Sequence, residues 1–139
     1  MATVDALVIG RATFDTVMGF DAWPYGDRSV FVLSRRPLDL EAARARGAQV
    51  EQMSGAPEKI SVELRSRGLQ HLYVDGGVTI QGFLRAGLIQ RLVITRVPVL
   101  IGTGIPLFGS LPRDVGLRHV ATRTYASGLV QSEYEVVVP

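Results

Sequence analysis

A single α/β domain, with a mostly parallel central sheet flanked by helices and an antiparallel hairpin at its C-terminal end, is the fold class this sequence predicts. Three observations predict it. From residue 4 to residue 97, short apolar runs of strand length alternate with segments of helical spacing, the pattern of successive strand and helix units. Two of the strand-to-helix junctions carry glycine at the turn, Ile9-Gly10-Arg11 and Asp75-Gly76-Gly77. The C-terminal part then switches to two long strand-like runs around Ser127-Gly128, which is a hairpin signal.

The chain has 139 residues, the size of one domain (residues 1–139) with one genuine core. Its 47% hydrophobic and 20% charged content is that of an ordinary globular protein. It has no cysteine, which excludes disulfides, zinc-thiolate sites and cysteine nucleophiles. Only His71 and His119 are available as imidazole ligands, so no metal site is expected. A formal net charge of +2 gives no electrostatic case for nucleic acid. The basic residues are arginines apart from Lys59. Arginine suits bidentate phosphate recognition, and a coding bias produces the same composition. No run is long and apolar enough for a membrane span, and Met1 to Asp5 lacks the basic-then-apolar order of a signal peptide. The expected location is the cytoplasm.

Taken in order, Val4 to Ile9 is apolar except for Asp5 and reads as a buried strand. Gly10 then opens a short helix to Met18, with Phe14, Val17 and Met18 at helical spacing. Arg11 and Thr13 stand at its entrance, where they fit an anion-holding corner or, equally, a solvated charge and a cap. Gly19 to Asp27, with Trp23-Pro24-Tyr25-Gly26, is a loop whose tryptophan is expected to pack on the core. Ser29 to Leu33 is a strand ending in Ser34-Arg35-Arg36-Pro37. A hydroxyl and two guanidinium groups there suit a phosphate monoester, as they would a solvated basic turn. Leu40 to Arg46 makes a helical turn or two, and Ala48 to Glu51 a short edge strand. Ala56 to Arg67 reads as a helix, with Pro57 in its first turn and Gly68 as its stop.

Leu72 to Val74 is the next strand, with His71 a side chain at its edge. Gly76-Gly77 turns it into a helix that runs to about Ala86, buries Ile80, Phe83 and Leu84, and stops at Gly87. Paired glycines permit positive φ and close backbone approach, and the helix offers its first N–H groups. Such a corner holds an anion, or is only a tight turn. Arg91 to Val97 is a strand in which Thr95 is either a satisfied hydroxyl or a group facing a pocket. Pro98 to Gly109 is too rich in glycine and proline for regular structure, and its apolar content leads us to expect it to lie down on the protein. Gly102-Thr103-Gly104 is not a dinucleotide fingerprint, since the third glycine is missing. Leu117 to Tyr125 and Leu129 to Val138 form the hairpin, which is expected to complete the sheet. In an open α/β sheet, ligands bind beyond the strands' carboxyl ends, where these three corners gather.

Val8-Ile9-Gly10-Arg11-Ala12-Thr13-Phe14, Val32-Leu33-Ser34-Arg35 and Val74-Asp75-Gly76-Gly77 resemble, in order and spacing, motifs of the dihydrofolate reductase-like superfamily. The closer resemblance is to its branch containing the C-terminal reductase domain of bacterial riboflavin biosynthesis proteins. Arg91 to Pro98, followed by Gly102 to Phe108, is similar to that branch as well, and the likeness covers nearly the whole chain. It implies an NADPH-binding reductase fold. On that resemblance Gly10, Arg11 and Thr13 meet the cofactor's pyrophosphate, and Ser34 and Arg35 take the adenosine 2′-phosphate. Gly76, Gly77, Val78, Thr79 and Ile80 cradle the pyrophosphate and the nicotinamide side, and Thr95 faces the substrate pocket.

The resemblance also implies a chain short of one part. Relatives begin with a further strand, a substrate loop and a helix before the segment that here starts at Val4, and that strand lies between those at Leu72 to Val74 and Arg91 to Val97. In dihydrofolate reductases proper, the same part brings the carboxylate that assists protonation. No acid or base is named from sequence, because Asp5, Asp15 and Asp75 all have structural explanations; Asp75 stands nearest the site. The expected function is hydride transfer from NADPH to a small heterocyclic (pteridine- or riboflavin-precursor-like) or carbonyl substrate. The competing expectation is a catalytically impaired nucleotide-binding or interaction protein of the same fold. A homodimer is expected in either case, since related domains pair and an exposed strand edge invites it.

Overall fold

A computed structural model of the chain describes residues 4–138. Along the chain lie β1 (Ala6–Gly10), α1 (Arg11–Met18), β2 (Ser29–Leu33), α2 (Glu41–Ala45), β3 (Gln49–Met53), α3 (Pro57–Ser66), β4 (Leu72–Asp75), α4 (Gly77–Arg85), β5 (Arg91–Arg96), β6 (Leu117–Thr124) and β7 (Val130–Val136). The first four strands form a parallel sheet in the order β3-β2-β1-β4.

Burial in this sheet follows the side-chain period of two along each strand. β1 lies inside the sheet, and Ala6, Leu7, Val8 and Ile9 are all fully buried, as expected of a parallel strand covered on both faces. Leu7 and Ile9 face one layer with Val30, Val32, Phe14 and Val17 of α1, Ala43 of α2, and Trp23. Ala6 and Val8 face the other, with Phe31, Ile60 and Leu64 of α3, and Phe83 of α4. The chain steps outward from β1 to β2 and β3, then returns through α3 to place β4 on β1's other side. The order therefore reverses between β1 and β4.

Two small ties hold the ends. Asp5 Oδ2 accepts from the backbone N–H groups of Gln70 (2.8 Å) and His71 (2.9 Å), fixing the entry to β4 beside the entry to β1. Arg67 bonds Glu51 and Glu63, at 3.0 Å each, over the ring of Phe31.

The last three strands include the expected antiparallel hairpin, β6 paired with β7, but its place differs from expectation. They form a separate antiparallel sheet, β5-β7-β6, instead of completing the parallel one. β5 pairs with β7 along its whole length, and the pairs Arg91–Glu133 and Arg118–Glu135 lace the exposed face. β6 carries a register shift between His119 and Ala121. Since β5 spends one edge on β7 and β4 one edge on β1, the two strands do not pair, and each keeps an unpaired edge.

A second difference concerns residues 97–116. Leu100, Ile101 and Ile105 are exposed instead of lying on the protein. Helices α3 and α4 already cover the nearer face of the parallel sheet, and only Phe108, Leu111 and Val115 of this segment are half-buried. Gln81 of α4 ties the segment down by donating to the Pro106 carbonyl (3.0 Å). In α4 itself Phe83 and Leu84 are buried and Ile80 only half so. Among the described residues no helix is long and apolar enough to cross a membrane.

Candidate functional site

At the carboxyl rim of the parallel sheet the register sets Gly10 beside Leu33 and Ile9 beside Asp75. Three turns thus leave neighbouring strands side by side: Ser34-Arg35 from β2, Gly10-Arg11 from β1 and Gly76-Gly77 from β4. The last two meet where the strand order reverses, the place where open α/β sheets take ligands.

Gly10 is the N-cap of α1 and Gly76 the N-cap of α4, and neither helix has a side-chain cap. Their first N–H groups, those of Arg11 to Thr13 and Gly77 to Thr79, have no carbonyl one turn earlier to bind. The two helix dipoles bring positive partial charge to the same spot. Each corner is closed by a threonine from the other helix. A Cβ on Gly10 would lie 2.6 Å from Thr79 Oγ1, and one on Gly76 would lie 2.7 Å from Thr13 Oγ1. Gly76 also has φ +99°, a conformation that side chains rarely adopt. A Cβ on Gly77, by contrast, meets nothing within 4 Å. Both helices therefore present uncapped amides at a junction where Gly10 and Gly76 permit the close approach of the facing threonines and the space beside Gly77 is open, an arrangement of the kind that fits a pyrophosphate. Val78 is exposed beside it, and Thr79 and Ile80 are half-buried.

Arg11 is exposed and reaches Asp15 at 3.7 Å across one helical turn. Ser34 Oγ donates to the Arg36 carbonyl (2.9 Å), and Arg35 and Arg36 are exposed. Gln52 at the end of β3, which the sequence reading passed over, orders this turn. Its Nε2 donates to the carbonyls of Ser34 (3.1 Å) and Arg36 (2.7 Å), and its Oε1 accepts from Leu38 N–H (2.9 Å). A polar residue on the strand next to the basic turn was the only signal available beforehand. Thr95 stands on the other sheet, on β5, where its hydroxyl accepts from Gln131 of β7 (3.2 Å). The structure gathers the three corners along one rim, and Thr95 is not part of that rim.

Asp75 closes β4, with its Oδ1 accepting from Gly76 N–H (2.8 Å). Tyr73 lies two residues back on the same face. Burial, and then the charge of Asp75, push the Tyr73 phenol above its ordinary range. Burial first, then Asp75 and Tyr73, do the same to Tyr25. Among the described residues no group of three or more His, Asp or Glu side chains could hold a metal ion. Two hollows lie elsewhere. One of about 330 Å³ is at the opposite end of the sheet, lined by Ser29, Arg44 and Gln49. The other, of about 440 Å³, lies between α4, β5 and residues 108–117.

A family model described as RibD C-terminal domain matches residues 1–131. The uncharacterised protein YwjB of Bacillus subtilis is 28% identical over 143 residues, covering 95% of this chain and 74% of its own length. The crystal structure of a putative riboflavin biosynthesis protein from Shewanella sp. PV-4 is 38% identical, with a TM-score of 0.90 over 99% of this chain and 76% of that chain. A pyrimidine reductase-like protein from Corynebacterium diphtheriae is 19% identical. It shares the fold at a TM-score of 0.72 over 98% of this chain and 77% of that chain.

Proposed function

The chain belongs to the RibD C-terminal domain family, and from that premise we propose that it is an NADPH-dependent reductase acting on a small heterocyclic (pteridine- or riboflavin-precursor-like) or carbonyl substrate. The observation that carries this reading is the meeting of two uncapped helix N-termini at the β1/β4 reversal, each closed by the other's threonine. The amides of α1 and α4 would hold the pyrophosphate, and Ser34 and Arg35, one strand further along the rim, the adenosine 2′-phosphate. Strands about 4.8 Å apart place these sites within the reach of one dinucleotide. Reduced nicotinamide supplies the hydride when bound, and the chain's own part is binding, orientation and electrostatics.

A nucleotide-binding protein without turnover is the second reading, favoured by the unpaired edges of β4 and β5, which leave the side of the rim next to Asp75 open. A homodimer is proposed on the same edges and on the exposed apolar residues Val93, Val97 and Val138. A cytoplasmic location goes with these readings.

The test is a titration of the chain with NADPH and NADH, followed by melting temperature and by the fluorescence of Trp23, and then a screen for NADPH oxidation. Binding that prefers NADPH, with consumption on a heterocycle or carbonyl compound, supports the reductase. Binding without consumption supports the second reading. A folded chain that binds neither nucleotide overturns both.

A further inference from the structure

β3 is the end strand on the side of the parallel sheet away from β4. The backbone N–H and C=O of one strand residue point to the same side, and successive residues point to opposite sides. Ser34 N–H donates to the Met53 carbonyl (3.0 Å), which turns Met53, Glu51 and Gln49 toward β2. Val50 and Gln52 therefore turn their backbone groups outward, where no strand among the described residues lies. One of these groups is already taken. Arg44 of α2 donates through Nη2 to the Val50 carbonyl (3.0 Å). Among the described residues the Arg44 side chain makes no other hydrogen bond and no ion pair, so this contact is what places it. The hollow of about 330 Å³ opens beside the same residues, lined by Arg44, Gln49, Val50 and Glu51 among others. Glu51 is exposed and bonded to Arg67. That hydrogen bond, and then the charges of Arg67 and Arg44, hold its carboxyl below the ordinary range.

We propose that the outer edge of β3 is a strand-pairing surface whose fitting partner is β3 of a second copy of this chain, and that Arg44 keeps it closed. An unprotected edge strand is a template for another chain. With the two strands antiparallel about a two-fold axis at Glu51, the outward Val50 of each copy faces the outward Gln52 of the other. Such residues exchange both N–H···O bonds, and the symmetry repeats the pair on the far side of the axis. Two four-stranded sheets would then run into one. The Val50 carbonyl is needed twice in that pairing, once from each copy, and Arg44 occupies it in both. A bond from a guanidinium is stronger than the neutral amide bond that a second strand offers in exchange. Glu51 adds to the closure, since the axis would set it against Glu51 of the second copy with Cβ atoms about 4.5–5.5 Å apart, and like charges directly opposite are destabilising. Among the described residues no side chain bonds a backbone group within β4 or β5, whose unpaired edges lie on the other side of the molecule. The chain thus closes one edge against its own copies and leaves the other side uncovered.

The test compares Arg44→Met with Arg65→Met, which removes the same charge from an exposed position on α3, by sedimentation equilibrium over a range of concentrations. Arg44 is exposed, so both variants should melt within a few degrees of the wild-type chain. Whatever pairing the β4 and β5 edges support is common to all three chains, and the difference reads β3 alone. Arg44→Met should associate about a hundredfold more tightly than wild type, roughly tenfold for each of the two carbonyls released, and Arg65→Met should not differ from wild type. The location is read by cross-linking. The chain has no cysteine, so Glu51→Cys introduces its single thiol at the proposed axis. In the Arg44→Met background that thiol should form the intermolecular disulfide at least tenfold faster than with Arg44 in place. Equal association of Arg44→Met and Arg65→Met overturns the proposal, and so does tighter association without faster cross-linking, which puts the contact on another surface. If Arg44→Met fails to fold, Glu51→Cys alone still decides: with Arg44 present it should cross-link no faster than Glu58→Cys, whose thiol is exposed on α3, and faster cross-linking would show that the edge is not closed.

Discussion

Gly77→Val separates a site from a turn. Gly77 is the first residue of α4, its φ is not positive, and an added Cβ finds open space. Valine there costs the fold nothing by contact, and its helix propensity exceeds that of glycine by a few tenths of a kcal/mol. The melting temperature of the free chain should therefore hold within about 2 °C. The same open space is where the pyrophosphate has to lie if the amides of Gly77 and Val78 bind it. Two branched methyl groups would displace the phosphate from both. At about 1.5–3 kcal/mol for each hydrogen bond to a charged group, the loss is roughly 3–6 kcal/mol, at least a hundredfold in affinity. Melting without ligand followed by calorimetric titration with NADPH reads both quantities on one sample. Unchanged NADPH affinity in a folded Gly77→Val chain would refute the cradle and reduce Gly76–Gly77 to a tight turn.

Gly10→Ala should destabilise the chain by about 1–3 kcal/mol, as overpacking does, since its Cβ would stand 2.6 Å from Thr79 Oγ1 and 3.9 Å from Thr79 Cβ. Adding Thr79→Ala removes the offending oxygen and should restore most of the loss in urea unfolding; an additive double variant would count against the interlock. Arg35→Ala should weaken NADPH at least tenfold and leave NADH within about twofold, and equal losses for the two nucleotides would remove Arg35 from the 2′-phosphate. Gln52→Leu takes the side-chain donor from the Ser34 carbonyl and one of two from the Arg36 carbonyl, which keeps Ser34 Oγ. It should lower the preference for NADPH over NADH several-fold while the chain stays folded, and an unaltered preference would show that the turn orders itself. Asp5 has its carboxyl held below the ordinary range by the N–H groups of His71 and Gln70. A lowered folded value means that its contribution is present above about pH 4 and is lost as pH falls through that value. The stability gap between the wild-type chain and Asp5→Asn should then narrow on acidification, and a gap constant from pH 7 to pH 2.5 would contradict the tie.

Much of the architecture was legible because it rests on local chemistry. The run Ala6 to Ile9 is apolar on both faces and so belongs inside a parallel sheet. Gly10 and Gly76 stand where helices begin, and Gly68 and Gly87 just past where they end. The separate second sheet was not legible, since Arg91 to Arg96 reads equally well as a parallel neighbour of β4 or an antiparallel neighbour of β7. The exposure of Leu100, Ile101 and Ile105 was also hidden, because apolar content says what a residue would bury against and not whether anything lies there. Tyr73 and Tyr25 carry no motif, and only the register of β4 on β1 brings them to one face.

By itself the sequence determined the element order, the glycine corners and the basic turn, because capping, φ > 0 and strand periodicity act within a few residues of chain. The tertiary structure alone decided that Thr13 and Thr79 cross to close each other's corners, that Gln52 orders the Ser34–Leu38 turn, and that β4 and β5 part company. Each of those joins segments distant in sequence, and such contacts are set by which strand lies beside which, a choice made by the packing of the whole sheet.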